Sequence, residues 1–441
     1  MIATSQDVIK KVFDFFVASN DFNGISLWNL AESFEKTTSE IIDVLIPLVE
    51  SDQVSIQSST NPHIIYSRHY PIDAQVTILD NSRDIKLLKQ KFGDITVVSP
   101  DTEFPICLYP SVSYLKNKRD FSELADFPFT KLLAMGIPQL TPMFFDIDVL
   151  ERYYLDPRYR FEWQDYSGSI HCYYDENEKP LVRDEDEIFL KTFGLGFTNN
   201  RQRLAVVYLR YLKNLTKEHQ VYWLSKQSNK EDNHVVREYY ENTIAGNWSF
   251  THSIFSAFLE ELRLINKLTK KIFNKALFRN DFEEEKKPKE FTFFFSPTLK
   301  NYNSFVLLLD KMLSENIDKS FFEGKIDLYN YDIIDANTRE RKPKGTITLL
   351  EEWLTNSFHF ENPEGISFIF KPIKTIRRER QDPAHRIDED KYDVKFTEMQ
   401  KETIALAYRS LNALRTIFQQ HRKAKDIEIP EWLDAGKIAM F

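Results

Sequence analysis

The chain has 441 residues, of which 42% are hydrophobic and 14% aromatic, and a formal net charge of −9. This length predicts about three domains, each with its own core, and the scarcity of glycine (11 residues) favours a helix-rich, firmly packed protein. The acidic balance excludes a protein that binds nucleic acid over its whole surface, so any such site must be a local positive patch.

The cysteines and the hydropathy pattern narrow the cellular setting. Cys107 and Cys172 are far apart in sequence, which excludes a disulfide framework or a zinc knuckle, and we expect both to be buried in a reducing cytosol. The N-terminal sequence MIATSQDVIKK lacks the apolar core of a signal peptide, and no apolar run approaches the roughly 18 residues of a membrane span. We therefore predict a cytoplasmic protein that does not engage a membrane.

Residues 1–72 are predicted to form a winged-helix-like domain. Three amphipathic stretches with Ser, Thr or Gly at their starts predict helices, and two short runs rich in Ile and Val predict a β-wing with its turn at Ser58 to Pro62. The helical stretches are 4–19, 24–34 and 37–50, and the strand-like runs are QVSIQ (53–57) and HIIYS (63–67).

The charge of this domain argues against DNA binding. Residues 1–70 carry four basic and nine acidic side chains, and the helix at the recognition position, 38–50, contains no Lys or Arg. Such a helix would bring the wrong sign of charge to the phosphates of the major groove. We therefore favour contact with a regulatory protein partner, or a purely structural role, over DNA binding.

Residues 73–246 predict a mixed α/β domain. Short strands, a hairpin with one buried face, and helices alternate along this stretch. The predicted strands are DITVVS (94–99) and FPICLYP (104–110), the hairpin is 158–175, the helices are 125–138 and 217–227, and RLAVVYLRYL (203–212) is a buried strand or helix.

Two possible sites in the middle domain are set aside. The acids Asp146, Asp148 and Glu151, or Asp156 with Glu162, could hold a magnesium ion, but no Lys follows Glu162 as a metal-dependent nuclease requires. The sequence FGLGFTNN lacks the third glycine of a dinucleotide loop and predicts a turn. We predict no metal and no cofactor.

Residues 247–441 predict a helical bundle of four or five antiparallel helices. A charged stretch, 279–290, is expected to connect two parts of the bundle, and the tail 426–441 to form a flap that closes the domain or contacts a second copy. Three of the predicted helices have N-caps, at Thr251 or Ser253, at Ser296 with Pro297 as the first helical residue, and at Thr346 or Thr348. Two more run from near 364, where Pro372 kinks the helix or starts a shorter one, and from about Phe396 to Gln420.

The sequence RRERQDPAHRI (377–387) combines the residue types that metal-free RNA cleavage needs. An imidazole can exchange a proton near neutral pH, and a guanidinium offers a fork of donors to a phosphate. Arg380 and His385 are separated by four residues, with Gln381 directly after the arginine. Asp382 and Pro383 predict the start of a new helical segment, so that Arg380 and His385 would meet across a break between helices.

The motif "RQDPAH" resembles the Arg-polar-x3-His motif of the HEPN superfamily of helical ribonucleases, and the likeness covers roughly residues 247–441. The resemblance implies a metal-independent endoribonuclease whose site is completed across a homodimer, in the setting of a bacterial toxin or an antiviral defence system. It implies that His385 is the general acid or base, that Arg380 stabilises the phosphate, and that Gln381 orients them. Cleavage would use the 2′-hydroxyl of RNA as nucleophile.

The surroundings of the motif are basic. Residues 371–386 carry six basic and two acidic side chains, an excess of four positive charges. We expect Lys374, Arg377, Arg378 and Arg386 to hold RNA phosphates, although a basic helix end that complements the helix dipole explains part of the pattern.

The sequence thus predicts an α+β, mostly helical protein that acts on RNA. Two other classes of function stay open. One is a non-catalytic interaction or sensor protein, in which the bundle is inert, and the other is a DNA-binding regulator that uses the winged helix.

Overall fold

A computed structural model describes residues 4–59, 61–66, 69–84, 86–93, 95–102, 104–229, 231–282, 287–333, 339–360, 362, 364–381 and 389–440. The chain divides into two compact units, residues 1–162 with 167–246 and residues 163–166 with 247–441. The fold mixes α-helices and β-strands, with about 49% of the residues helical.

The first unit contains short helices and three groups of paired strands among its described residues. Its helices are α1 Ser5–Ala18, α2 Leu27–Ser33, α3 Thr38–Glu50, α4 Ile72–Asn81, α5 Val112–Lys118, α6 Pro128–Ala134, α7 Glu151–Leu155, α8 Leu209–Leu212, α9 Lys217–Ser225 and α10 Arg237–Tyr240. Its strands are β1 Ile25–Ser26, β2 Val54–Ser58, β3 Leu87–Phe92, β4 Ile95–Pro100, β5 Ile106–Pro110, β6 Pro142–Asp146, β7 Tyr159–Gln164, β8 Ser167–Cys172, β9 Phe189–Phe197, β10 Arg203–Tyr208 and β11 His234–Val235.

The first and third helices form at their predicted caps, whereas α2 is capped by Ser26 and begins later than the predicted start after Gly24. Thr4 and Thr37 each accept a hydrogen bond from the backbone N–H three residues on, and Asp7 and Glu40 bond back to the two caps. These capping boxes satisfy N–H groups that the first helical turn leaves without a partner. The apolar faces of α1, α2 and α3 bury a common core.

The second strand of the predicted wing is wrong. Residues 63–66 of HIIYS are not a strand, and β2 instead pairs antiparallel with β5, with Val54 opposite Pro110 and Ser58 opposite Ile106. The sheet order is β1, β5, β2. Because more than forty residues separate β2 from β5, no local turn marks their pairing in the sequence. The pattern of the sequence therefore favours the nearer run HIIYS.

The hairpin predicted over 158–175 is confirmed as β7 and β8 of a larger antiparallel sheet of order β6, β10, β9, β8, β7, in which β11 also pairs with β9. Along β7, Tyr159, Phe161 and Trp163 are buried and the residues between them exposed. The turn predicted at FGLGFTNN lies only at its end, at Asn199 and Asn200, because Gly194 and Gly196 lie inside β9. A Cβ on Gly194 would stand 2.2 Å from the ring of Tyr239, so glycine is needed there for close packing.

The second unit is built around long helices. They are α11 Ile254–Phe273, α12 Leu299–Asp310, α13 Thr346–Ser357, α14 Glu364–Gln381, α15 Lys395–Gln419 and the short α16 Glu431–Asp434. A π-helical turn, Lys311–Glu315, continues α12. The strands are β12 His252–Ser253, β13 Tyr329–Ile333, β14 Arg339–Pro343 and β15 Ile438–Ala439.

The longest helices pack around one hydrophobic core, with α11 and α14 against α15, and α12 against α14. Ser253 caps α11 as predicted. Other predicted caps are wrong: α12 is capped by Thr298, since Ser296 lies before the helix, and α13 follows Gly345. Pro372 does not divide α14, which runs through it as one helix.

A turn from the β7–β8 hairpin belongs to the second unit and binds the start of α11. Asp165, in a left-handed backbone conformation, accepts hydrogen bonds from the backbone N–H and the side chain of the first turn of α11, at Ser253 (2.9 Å) and Ser256 (2.7 Å). The C-terminal residues complete the same end of the helix, because β15 pairs in parallel with β12 and Leu433 packs against α11.

One buried ion pair joins α11 to α15. The Arg415 Nε donates to the Glu261 carboxylate at 2.9 Å, and Asn412 donates to its other oxygen at 2.8 Å. The side chains of Glu261 and Arg415 are 0% and 4% exposed. Because a carboxylate away from water needs a charged partner, the register of α11 against α15 depends on this pair.

We predict that Arg415→Ala destabilises the second unit by about 3–5 kcal/mol, because it leaves a buried carboxylate without its cation. Chemical denaturation followed by circular dichroism measures the change. Arg409→Ala, at an exposed position of the same helix, is the control and should alter the stability by less than about 0.5 kcal/mol. Equal effects of the two variants would contradict a structural role for the pair.

Candidate functional site

The arginine of the motif lies in the last turn of a helix. Helix α14 buries Ile369, Ile373 and Ile376 against the core and ends at Gln381. This spacing leaves Arg380 on the side of the helix that faces α12. Gln381 is exposed.

The histidine of the motif lies outside the described residues. His385 and Arg386 fall within 382–388, together with Asp382 and Pro383. The approach of His385 to Arg380, and the new helical segment after Asp382, therefore stay predictions from the sequence.

The buried carboxylate of Asp310 pairs with two arginines, Arg377 and Arg380. The Arg380 Nη1 lies 2.6 Å from Asp310 Oδ2, and the Arg377 Nη1 lies 3.6 Å from the same oxygen. Asp310 is 1% exposed, whereas Arg380 and Arg377 are 29% and 40% exposed. Arg380 also pairs with the more exposed Glu315.

The π-helical turn after α12 supplies the other contacts. Ser314 accepts a hydrogen bond from Arg377 Nη1 at 2.8 Å and donates to the Asp310 carboxylate and, at 3.0 Å, to its carbonyl. A π turn inserts one residue into the helical ladder and is frequent at functional sites. Here it brings the side chains of Ser314 and Glu315 onto the face that carries Asp310.

The ion pairs fix the protonation of Arg380. Hydrogen bonds to Asp310, and then to Glu315, raise the pKa of the Arg380 guanidinium above its ordinary value. The group is therefore a permanent cation with a fixed position, which is the property required of a side chain that stabilises charge on a phosphate.

The predicted basic patch is partly neutralised by acids from neighbouring elements. Lys374 pairs with Glu351 of α13 at 2.7 Å. Arg378 is exposed and has no ion-pair partner within the described part of the chain. Of the residues predicted to hold flanking phosphates, Arg378 is thus the one that the described contacts leave available.

Three of the acids considered for magnesium, Asp148, Asp156 and Glu162, pair with cationic side chains of the first unit. Asp148 pairs with Lys226 at 2.7 Å and Asp156 with Arg158 at 2.7 Å. Among the described residues, no group of three or more His, Cys, Asp or Glu side chains has the arrangement of a metal site.

Sequence reasoning missed Asp310, Ser314 and Glu315. A signal for the first was present, because Asp310 follows the apolar run FVLLL and precedes Lys311, Met312 and Leu313. An acid inside an apolar helical stretch needs a buried cation. Which cation it binds depends on the packing of α12 against α14, which the sequence does not give.

Comparison with protein-family models, with curated proteins and with solved structures finds no match to this chain. Over the described ranges, no helix combines the length and the apolar character that crossing a bilayer requires.

We predict that Asp310→Asn lowers the free energy of unfolding by about 1–3 kcal/mol, because it removes the buried charge that balances Arg377 and Arg380. The partial exposure of both arginines limits the loss, since water solvates them in the variant. Glu315→Gln, which alters a solvent-exposed partner of Arg380, should cost less than about 1 kcal/mol. Denaturant titration of both variants tests the order, and a larger loss for Glu315→Gln would reject it.

Proposed function

We propose that the chain is a metal-independent endoribonuclease with a HEPN-like C-terminal helical unit that acts as a homodimer. The observation that carries the proposal is Arg380, a fixed cation in the last turn of α14, at the start of the motif RQDPAH. The helical surroundings of this motif in the second unit agree with the resemblance.

Arg380 keeps donors for a substrate. Both of its ion pairs use Nη1, and among the described residues no contact involves its Nε or Nη2. These two nitrogens can donate in parallel to two phosphate oxygens. Asp310 and Glu315 therefore orient the guanidinium without using all of it.

The reaction needs only groups of the protein and the RNA. A basic imidazole removes the proton of the 2′-hydroxyl, the 2′-oxygen forms a bond to phosphorus, and the bond from phosphorus to the 5′-oxygen breaks as that oxygen takes a proton. The products are a 2′,3′-cyclic phosphate and a 5′-hydroxyl. His385 acts as the base or the acid, and Arg380 stabilises the charge on the phosphate.

A second copy completes the site. One motif supplies one histidine, whereas the reaction uses a base and an acid, so two motifs brought together in a homodimer supply both. Gln381 orients these groups by hydrogen bonding, and Arg378 and Arg386 hold flanking phosphates, whereas Lys374 and Arg377 are paired with Glu351 and Asp310. The setting that fits such an activity is a cytoplasmic bacterial toxin or antiphage effector.

The first unit supports a regulatory role within the same proposal. Helices α1 to α3 pack beside the sheet of order β1, β5, β2, and helix α3, at the recognition position of the predicted winged helix, has no basic residue. Lys36, one of the few cations nearby, pairs with Glu40 at 2.8 Å. These charges favour a protein partner over DNA, and they are the specific support for the alternative of a non-catalytic sensor.

We predict that the purified full-length chain cleaves single-stranded RNA in EDTA and that His385→Ala lowers the rate by at least about 100-fold, as loss of a general acid or base does. End-group analysis should show cyclic phosphates and 5′-hydroxyls. A DNA strand of the same sequence should stay intact, since it lacks the nucleophile.

The matched control is His359→Ala, an exposed histidine of the same unit outside the motif, which should cleave at the wild-type rate. Cleavage by His385→Ala at the wild-type rate would overturn the assignment of the site. Binding of RNA without turnover by the wild type would favour the sensor alternative.

A further inference from the structure

Strands β13 and β14 form a two-stranded antiparallel ribbon in the second unit, and within the described residues they pair only with each other. Tyr331 stands opposite Arg341 and Tyr329 opposite Pro343. Directly opposed residues share one face of a sheet, and alternate residues of a strand do so too. One face of the ribbon therefore carries Tyr329, Tyr331, Arg341 and Pro343.

This face presents stacked planar groups to solvent. The Arg341 guanidinium carbon lies 3.4 Å from the centre of the Tyr329 ring, a cation–π contact. Tyr331 is 51% exposed, and among the described residues no other ring stacks on it. The face offers an open ring next to a guanidinium already held flat.

The opposite face has a different character. Asn330 stands opposite Lys342, and the Lys342 ammonium pairs with Glu340 at 3.1 Å. Lys342 is therefore neutralised by an acid on its own strand, and the face presents no aromatic ring among the described side chains. The two faces of one ribbon provide a matched comparison.

The base of the ribbon connects to the candidate site. Lys344 follows β14 and donates its backbone N–H to Leu328 at 2.9 Å. Two residues on, the Thr346 hydroxyl donates to the Ser314 carbonyl at 2.6 Å. Ser314 is the residue that accepts a hydrogen bond from Arg377, and Arg341 lies three residues, roughly 10 Å of extended strand, from Lys344.

We infer that the face of Tyr329, Tyr331 and Arg341 is a stacking platform for the bases of single-stranded RNA, beside the site at Arg380. Unpaired bases stack on tyrosine rings and on guanidinium planes, and arginine also attracts the phosphates. In duplex RNA the bases are stacked on each other and are not open to such a platform. The choice of RNA as the ligand rests on the proposed function, whereas the position of the platform rests on the β13–β14 ribbon.

The test measures binding without turnover. Full-length His385→Ala protein is titrated into a fluorescein-labelled 12-nucleotide RNA without self-complementarity, and the fluorescence anisotropy gives the Kd. Adding Tyr331→Ala should weaken binding roughly 5- to 100-fold, the range for losing one base–aromatic stack. Tyr331→Phe should stay within about twofold, because a phenyl ring also stacks.

Two further variants separate stacking from charge. Arg341→Lys keeps the positive charge but loses the planar group, so it should weaken binding more than Lys342→Ala, which removes a charge from the opposite face. A duplex of the same sequence should bind more weakly than the single strand.

The outcomes test the stacking platform separately from the proposed nuclease activity. Unchanged binding in Tyr331→Ala, or equal losses for Tyr331→Ala and Lys342→Ala, would overturn the platform even if the wild type cleaves RNA. No binding of the single strand by the parent protein would overturn it as well. A loss specific to Tyr331→Ala without any cleavage by the wild type would support the platform and reject the proposed nuclease.

Discussion

The carboxylate of Asp310 has almost no access to water, so its charge must be balanced within the protein. The chain meets this requirement with two arginines of one helix and a serine from a π turn. This requirement fixes the rotation of α14 about its axis and its position along α12, since another arrangement would leave Asp310 without a cation. The position of Arg380, and with it the start of the motif, follows from that single constraint.

The features predictable from the sequence are those that depend on neighbouring residues. The apolar stripe of α11, its cap at Ser253 and the alternation along β7 each repeat within a few positions, and each is confirmed. The strand that pairs with β2 is β5, and Gly194 lies in a strand where it packs on Tyr239. Both partners are distant in sequence, so local patterns misplace these two features. The same limit applies to the site, where Arg380 could be named from its motif but its partner Asp310 could not.

Charge distribution relates the proposed site to the acidic chain around it. A chain with a net charge of −9 would repel RNA at long range, so the RNA binding that we propose would have to come from short-range contacts. Arg380 keeps two donor nitrogens and Arg378 is exposed, while Lys374 and Arg377 are occupied by acids. The aromatic platform proposed on the β13–β14 ribbon would add affinity that depends little on charge.

The turn that carries Asp165 belongs to the second unit but lies about eighty residues before the rest of that unit in the sequence. Residues 163–166 group with a unit that otherwise begins at residue 247, so this unit is not continuous in sequence. A recombinant fragment starting at residue 247 would lack the carboxylate that accepts hydrogen bonds from the Ser253 backbone N–H and the Ser256 hydroxyl. During synthesis the hairpin leaves the ribosome some eighty residues before the helix whose start it binds. The second unit therefore contains one segment that is synthesised well before the rest of the unit.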